Sequence, residues 1–197
     1  MPGIIIFDKD GTLVEPLSGE KFVQHPDDQK ILAGADKAVQ NLHQRGYQLA
    51  IASNQAGVEA GYKTVEDAIA ECRYALELFP QVELALFCPS YKGFTCCMVW
   101  RDKVVEIRPE DEVQESFRKP GPGMLILLHR YFGRPPLSDC WMIGDRLENE
   151  QAAKAFGCNF MAADILRSRY LPGFHQLSVD EAALKFLEPN LKKRYRV

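Results

Sequence analysis

The sequence predicts an α/β fold, a Rossmann-like doubly wound sheet of about five parallel strands with helices on both faces. Three observations carry that expectation. Short apolar runs alternate with amphipathic helical patterns along the chain, as right-handed βαβ crossovers require. The first run, Ile4 to Phe7, is three isoleucines and a phenylalanine, the all-apolar character of a strand covered on both faces. Four polar clusters each follow such a run or open a helix, and open parallel sheets bind their ligands outside the carboxyl ends of their strands.

After the strand at Ile4 to Phe7, a helix is predicted over Ala33 to Arg45. Its apolar positions Ala35, Ala38, Val39 and Leu42 recur at spacings of three and four, and Gly46 stops it. A strand at Gln48 to Ala52, a helix at Thr64 to Phe79 and a strand at Glu83 to Cys88 follow. The pattern then changes, because TCCMVW and VVEI flank Arg101, Asp102 and Lys103 like a hairpin and its turn. The acidic stretch Pro109 to Ser116 reads as a loop, and the whole insertion, 88–119, is expected over the ligand edge of the sheet. Beyond it come a helix at Gly123 to Phe132, a strand at Cys140 to Ile143, a helix at Glu150 to Phe156 closed by Gly157, and a strand at Asn159 to Ala162. All of this fits one domain, 1–197, ending in a short basic tail, Pro189 to Val197, that reads as a solvated terminus.

The chain has 197 residues, a formal net charge of -3, 46% hydrophobic and 26% charged residues. That balance exerts no general pull toward nucleic acid or anionic membrane and suits an enzyme or binding domain for small molecules. Only a four-residue apolar run precedes Asp8, too short for a signal peptide or a membrane span, so a cytoplasmic protein is expected. Its six cysteines are too sparse for a disulfide scaffold and read as reduced thiols.

The first run ends on two acids, Asp8 and Asp10, followed by Gly11 and Thr12. Two carboxylates so close repel each other unless a cation lies between them or one keeps a proton. The other clusters are Ser53, Asn54 and Gln55 after QLAIA, Lys119 in RKPGPGM, and Asp145 in MIGD. Gathered in one crevice, these residues are the parts of a phosphoryl-transfer site. Mg2+ takes carboxylate oxygens and keeps water, so Asp8, Asp145 and a backbone carbonyl near Asp10 are candidate metal ligands. A carboxylate can attack phosphorus, which makes Asp8 the candidate nucleophile. Asp10, two residues on, is placed to protonate the leaving alkoxide and then activate water. The Ser53 hydroxyl, the backbone N–H groups of Asn54 and Gln55, and Lys119 are candidates to hold the phosphoryl oxygens.

These motifs resemble those of the haloacid dehalogenase superfamily of phosphatases, over most of the chain. DKDGTLV is similar to the first motif, SNQAGV to the second, the lysine of RKPGPGM to the third and GDRLENEQAA to the fourth. Within the superfamily, SNQ, GVEAGYKT and RKPGPGML resemble the subclass of histidinol phosphatase, heptose bisphosphate phosphatase and polynucleotide 3′-phosphatase domains. The resemblance implies Asp8 as nucleophile and Mg2+ ligand, Asp10 as acid and base with its carbonyl on the metal, Ser53 and Lys119 on phosphate, and Asp145 on Mg2+. It gives Thr12 the support of the turn that brings Asp10 inward.

Two departures stand out. A second acid often follows the fourth-motif aspartate by four or five residues, and here those positions hold Asn149 and Glu150, which leaves open which of them serves the metal. Relatives in the subclass often carry a zinc loop of Cys and His. This chain has Cys88, Cys96 and Cys97 there but no histidine between 43 and 129, so packing thiols are favoured over zinc. Arg118 and Arg146 flank the site and could pair with a second phosphate or a carboxylate of the substrate. The expected activity is Mg2+-dependent hydrolysis of a small phosphomonoester such as a sugar phosphate or histidinol phosphate. The alternatives are a polynucleotide 3′-phosphatase, which the acidic balance disfavours, and a non-catalytic, receiver-like phosphoryl-binding protein.

Overall fold

The computed structural model describes residues 3–108, 115–173 and 179–188. In chain order the elements are β1 (Ile4–Phe7), β2 (Val14–Glu15), β3 (Lys30–Ile31), α1 (Ala35–Gln44), β4 (Gln48–Asn54), α2 (Val65–Leu78) and β5 (Leu84–Cys88). They continue as β6 (Cys96–Val99), β7 (Val104–Ile107), α3 (Gly123–Tyr131), β8 (Trp141–Gly144), α4 (Leu147–Phe156), β9 (Asn159–Ala162), α5 (Ala163–Ser168) and α6 (Glu181–Leu187). The main sheet runs β7-β6-β5-β4-β1-β8-β9. Its five strands from β5 to β9 through β4, β1 and β8 are parallel, as predicted. The chain order of these five reverses at β1, which places the crevice at the carboxyl end of the central strand.

Strand β1 is held there by burial. Ile4, Ile5, Ile6 and Phe7 are fully buried, and the pleat sends Ile5 and Phe7 to one face of the sheet and Ile4 and Ile6 to the other. Each such side chain contributes roughly 1.5–3 kcal/mol relative to exposure. The first face is covered by α1, α2, α5 and α6, through Val39 and Leu42, Cys72 and Leu76, Leu166, and Phe186 respectively. The second face is covered by α3 and α4, through Met124, Leu125 and Leu128, and Ala152 and Ala153.

Three expectations are corrected. The hairpin of the insertion does not lie over the ligand edge, because β6 and β7 join the sheet antiparallel to β5 and extend it sideways, with their turn at the opposite end. Edge addition satisfies the backbone groups that β5 would otherwise leave open. Residues 89–95 and 115–119 do remain at the ligand end, whereas 109–114 lie outside the described residues. Helix α4 begins at Leu147, three residues earlier than the predicted Glu150, since Arg146 is extended and the chain turns helical directly after it. Strand β4 runs on to Asn54, so Ser53 and Asn54 belong to the strand itself. The small β2–β3 ribbon, α5 and α6 were not anticipated, and the basic tail, Pro189 to Val197, lies outside the described residues.

Helix α2 opens on a capping box, in which the Thr64 hydroxyl accepts from the Asp67 N–H at 3.0 Å and the Asp67 carboxylate accepts from the Thr64 N–H at 2.9 Å. Thr64→Ala should lower stability by about 1 kcal/mol in urea unfolding. Backbone N–H bonds, from Thr64 to Asp67 and from Gln24 to Asp28, hold both carboxyls below their ordinary value of 3.8. A group depressed on folding contributes stability that is full above its unfolded value and lost as pH falls through its folded one. The urea midpoint should therefore drop as pH is lowered from 6 to 3, and drop less in Asp28→Asn and Asp67→Asn.

Candidate active site

Asp8 leaves β1 on the residue after Phe7, and its N–H donates to the Ile143 carbonyl at 2.8 Å, which continues the pairing with β8. One carboxylate oxygen, Oδ1, accepts from the Lys9 N–H at 2.8 Å and lies 2.9 Å from Lys119 Nζ. The other accepts from Asn149 Nδ2 at 3.1 Å. The chain then turns tightly, with the Leu13 and Val14 N–H groups both donating to the Lys9 carbonyl. Gly11 sits in this turn at φ +78°, and a Cβ there would lie 2.3 Å from Asp145 Oδ2. Both the left-handed backbone and the close approach of Asp145 need glycine. Thr12 Oγ1 donates to Asp145 Oδ1 at 3.4 Å, and Arg167 Nη1 donates to the Gly11 and Thr12 carbonyls at 2.8 Å each.

Asp10 is pinned at both oxygens, by Lys9 Nζ at 2.9 Å and by Gln55 Nε2 at 2.9 Å, with 37% of its side chain open to the crevice. Burial pushes its pKa up, but the Lys9 ammonium, Lys63 and the Gln55 hydrogen bond together outweigh burial and hold it below the ordinary carboxylate value. Lys9 itself is fully buried. Burial disfavours its charge, yet Asp10 and Glu71 together hold its pKa well above that of a free lysine.

Ser53 is buried at the end of β4, and its hydroxyl accepts from Gln55 Nε2 at 2.8 Å. The Gln55 N–H donates to the Cys88 carbonyl at 2.8 Å, so this group, taken from the sequence as a phosphate donor, is already engaged. The Asn54 side chain is engaged as well. Its Oδ1 accepts from the Lys119 N–H at 3.0 Å and its Nδ2 donates to the Lys119 carbonyl at 2.9 Å, a two-way clamp that fixes the loop carrying Lys119. Lys119 is buried and bridges the Ala52 carbonyl, at 2.6 Å, and Asp8.

Asn149 is fully buried against Gly144, where a Cβ would come within 2.2 Å of its Nδ2, whereas Glu150 is exposed. Asn149 Oδ1 has no hydrogen-bond partner. Burial and the nearby Asp8 charge push the Asp145 carboxyl up. An orphaned buried acceptor beside two mutually repelling carboxylates is a donor set that fits a hard cation such as Mg2+. Among the described residues no three His, Cys, Asp or Glu side chains form a metal cluster. Cys88 and Cys96 face one side of the sheet and Cys97 the other, so the three thiols do not converge. Arg146 Nε stands 3.9 Å from Asp145 Oδ2. Arg118 lies over the Tyr91 ring at 5.4 Å, and its Nη1 is buried without a partner.

The structure thus brings Asp8, Asp10, Ser53, Asn54, Lys119, Asp145 and Asn149 together and leaves Glu150 outside. Lys9, Glu71, the Gln55 side chain and Arg167 were missed. The signal for Glu71 was present, because it falls on the apolar face of α2 between Ala68 and Cys72 and Ala75, where an acid needs a buried partner.

A parallel sheet whose central strand ends in such a pair of acids, flanked by a serine, a lysine and a third acid on neighbouring strands and loops, defines a phosphatase of the haloacid dehalogenase superfamily. The chain belongs to the family described as polynucleotide kinase 3 phosphatase, whose family model matches residues 3–165, and it is a phosphoric monoester hydrolase. It is 27% identical to the D-glycero-beta-D-manno-heptose-1,7-bisphosphate 7-phosphatase of Pseudomonas aeruginosa, over 79% of this chain and 77% of that one. With the enzyme of the same name from Neisseria meningitidis the identity is 28%, over 78% and 73%. Its fold is similar to that of the D,D-heptose 1.7-bisphosphate phosphatase of B. bronchiseptica, solved with magnesium and phosphate, at a TM-score of 0.63 and 23% identity over 98% and 99% of the two chains. Among the described residues no helix is long and apolar enough to cross a membrane.

Gly144→Ala should displace Asn149 from Asp8, and Gly11→Ala should displace Asp145. Misplacement on the scale of 1 Å costs roughly 10²-fold in rate. Each variant should lose about that much phosphatase activity on 4-nitrophenyl phosphate while keeping its far-UV circular dichroism.

Proposed function

We propose that the chain hydrolyses a small phosphorylated sugar in a Mg2+-dependent reaction through an aspartyl-phosphate on Asp8. The observation that carries this reading is the Asp8 carboxylate, held between Lys119 and Asn149 at the carboxyl end of the central strand, two residues from a pinned Asp10. A carboxylate oxygen of Asp8 attacks phosphorus, and the bond to the leaving oxygen breaks. Asp10 in its acid form gives that oxygen a proton. At rest Lys9 favours the ionised form of Asp10, and the incoming phosphate dianion adds negative charge beside it that favours the protonated form. Asp10, now a carboxylate, takes a proton from the water that attacks the acyl phosphate, which frees Asp8 and phosphate.

Ser53 and Lys119 hold the equatorial oxygens, and Asn54 serves as the clamp that keeps Lys119 in place. Asp8, Asp145 and the Asp10 carbonyl would hold Mg2+, which supplies positive charge to the transferring group. Asn149, whose Oδ1 is unpartnered, would accept a hydrogen bond from a water held by such a metal. The sugar assignment rests on the heptose bisphosphate phosphatases to which the chain is similar. Arg118 suits a second anionic group on such a substrate, since its buried Nη1 is unpartnered. The family description favours one further reading, a polynucleotide 3′-phosphatase. In that case the rate should fall steeply with salt on a 3′-phosphorylated oligonucleotide.

A panel of sugar mono- and bisphosphates, histidinol phosphate, nucleotides and a 3′-phosphorylated oligonucleotide, run with Mg2+, separates these readings. The highest kcat/KM is expected on a sugar bisphosphate, with loss on chelation and recovery with Mg2+. Asp8→Asn should abolish turnover, and undiminished phosphate release by that variant would overturn the mechanism.

A further inference from the structure

We propose that Glu71 and Lys63 form a positioning pair that sets the direction of the Asp10 carboxylate through the buried ammonium of Lys9. The inference rests on the role proposed above for Asp10 and adds residues on a helix and a loop that touch neither phosphate nor metal.

The chain of contacts is continuous. Lys63 Nζ bonds both oxygens of Glu71, at 2.7 and 2.8 Å. Glu71 Oε2 accepts from Lys9 Nζ at 3.2 Å, and the same ammonium reaches Gln29 Oε1 at 3.2 Å and Asp10 Oδ1 at 2.9 Å. An ammonium has three N–H bonds, and these three acceptors occupy them all, which leaves Lys9 one orientation. Gln55 fixes the second oxygen of Asp10, so its carboxylate is determined from both sides. Glu71 is 3% and Lys9 0% exposed. Two positive and two negative groups make the quartet neutral.

A purely structural role explains this arrangement poorly. Aliphatic side chains in place of a buried ion pair are often neutral or stabilising, so burial alone gives no reason for charge here. Direction does, because a charged donor of fixed orientation holds a partly open carboxylate against the pull of water more strongly than a neutral one. The anchors are also spread over the fold. Glu71 belongs to α2, Lys63 to the loop after the Ser53 strand, and Gln29 to the end of the loop between β2 and β3, where its Nε2 also donates to the Glu71 carbonyl at 3.1 Å. Three segments converge on Asp10 through one nitrogen.

The test is the dependence on leaving group. A nitrophenolate departs without a proton, whereas an alkoxide requires one, and kcat/KM reports the steps through phosphoryl transfer to Asp8. In Glu71→Gln, kcat/KM on 4-nitrophenyl phosphate should stay within about twofold of wild type. On glycerol 2-phosphate it should fall about tenfold, through kcat with KM nearly unchanged. An equal loss on both substrates, or no loss on either, would overturn the proposal. Lys63→Met, at a position whose side chain is 19% exposed, gives the same test should Glu71→Gln not fold, with an expected selective loss of about threefold. Asp10→Asn run in parallel separates the two levels. If it too lacks the selective loss, the role of Asp10 fails. If Asp10→Asn is selective and the Glu71 and Lys63 variants are not, only the positioning pair fails.

Discussion

The structure depends on the balance of charge around one turn. Asp8, Asp10 and Asp145 crowd the end of a buried strand, and a phosphate must still enter among them. Two fully buried lysines oppose that charge, Lys119 on Asp8 and Lys9 on Asp10. Neither lysine could be buried alone, since stripping water from an unpaired ammonium costs several kcal/mol. Each acid therefore requires its lysine and each lysine its acid. The pairing also dictates what else must lie nearby. Lys119 needs the Ala52 carbonyl, which ties its loop to β4, and Lys9 needs Glu71, which ties the turn to α2.

Topology makes the pairing possible. Because the five parallel strands reverse their chain order at β1, the strand after it in the sheet on one side ends in Ser53 and Asn54 and the strand on the other side precedes Asp145. A residue at the carboxyl end of β1 thus has neighbours from two distant parts of the chain. Gly11 and Gly144 let those neighbours close in, by removing Cβ atoms that would collide with Asp145 and Asn149.

The same geometry separates the chemistry from the choice of substrate. Everything that would touch the phosphoryl group comes from strand ends and the loop holding Lys119. The parts that could touch the leaving group are surface loops, where Phe22, Tyr62, Tyr91 and Phe94 are exposed and Arg118 lies over Tyr91. Function within a fold is decided at such grafted edges. Tyr91 and Arg118 are joined to the core through Gly93, whose carbonyl accepts from the Phe117 N–H at 2.9 Å, so the rim is anchored two residues from Lys119.

Much of this was legible in the sequence. The all-apolar run before Asp8, the periodicity of Ala35 to Leu42 and the polar clusters after each run are local signals, and they determined the five parallel strands, most helix positions and the convergence of Asp8, Asp10, Ser53, Lys119 and Asp145. The side of the sheet on which a side chain lies follows from alternation alone, which is why Cys96 and Cys97, adjacent in the chain, end up apart. What only the tertiary structure decided are the partners of long side chains. That Asn54 clamps Lys119, that Asn149 rather than Glu150 faces Asp8, and that Lys9 turns away from the crevice to meet Glu71 all depend on contacts across 62 to 141 residues of chain. No local pattern encodes such contacts, because a buried charge is satisfied by whatever group the packing of other elements brings within about 3 Å.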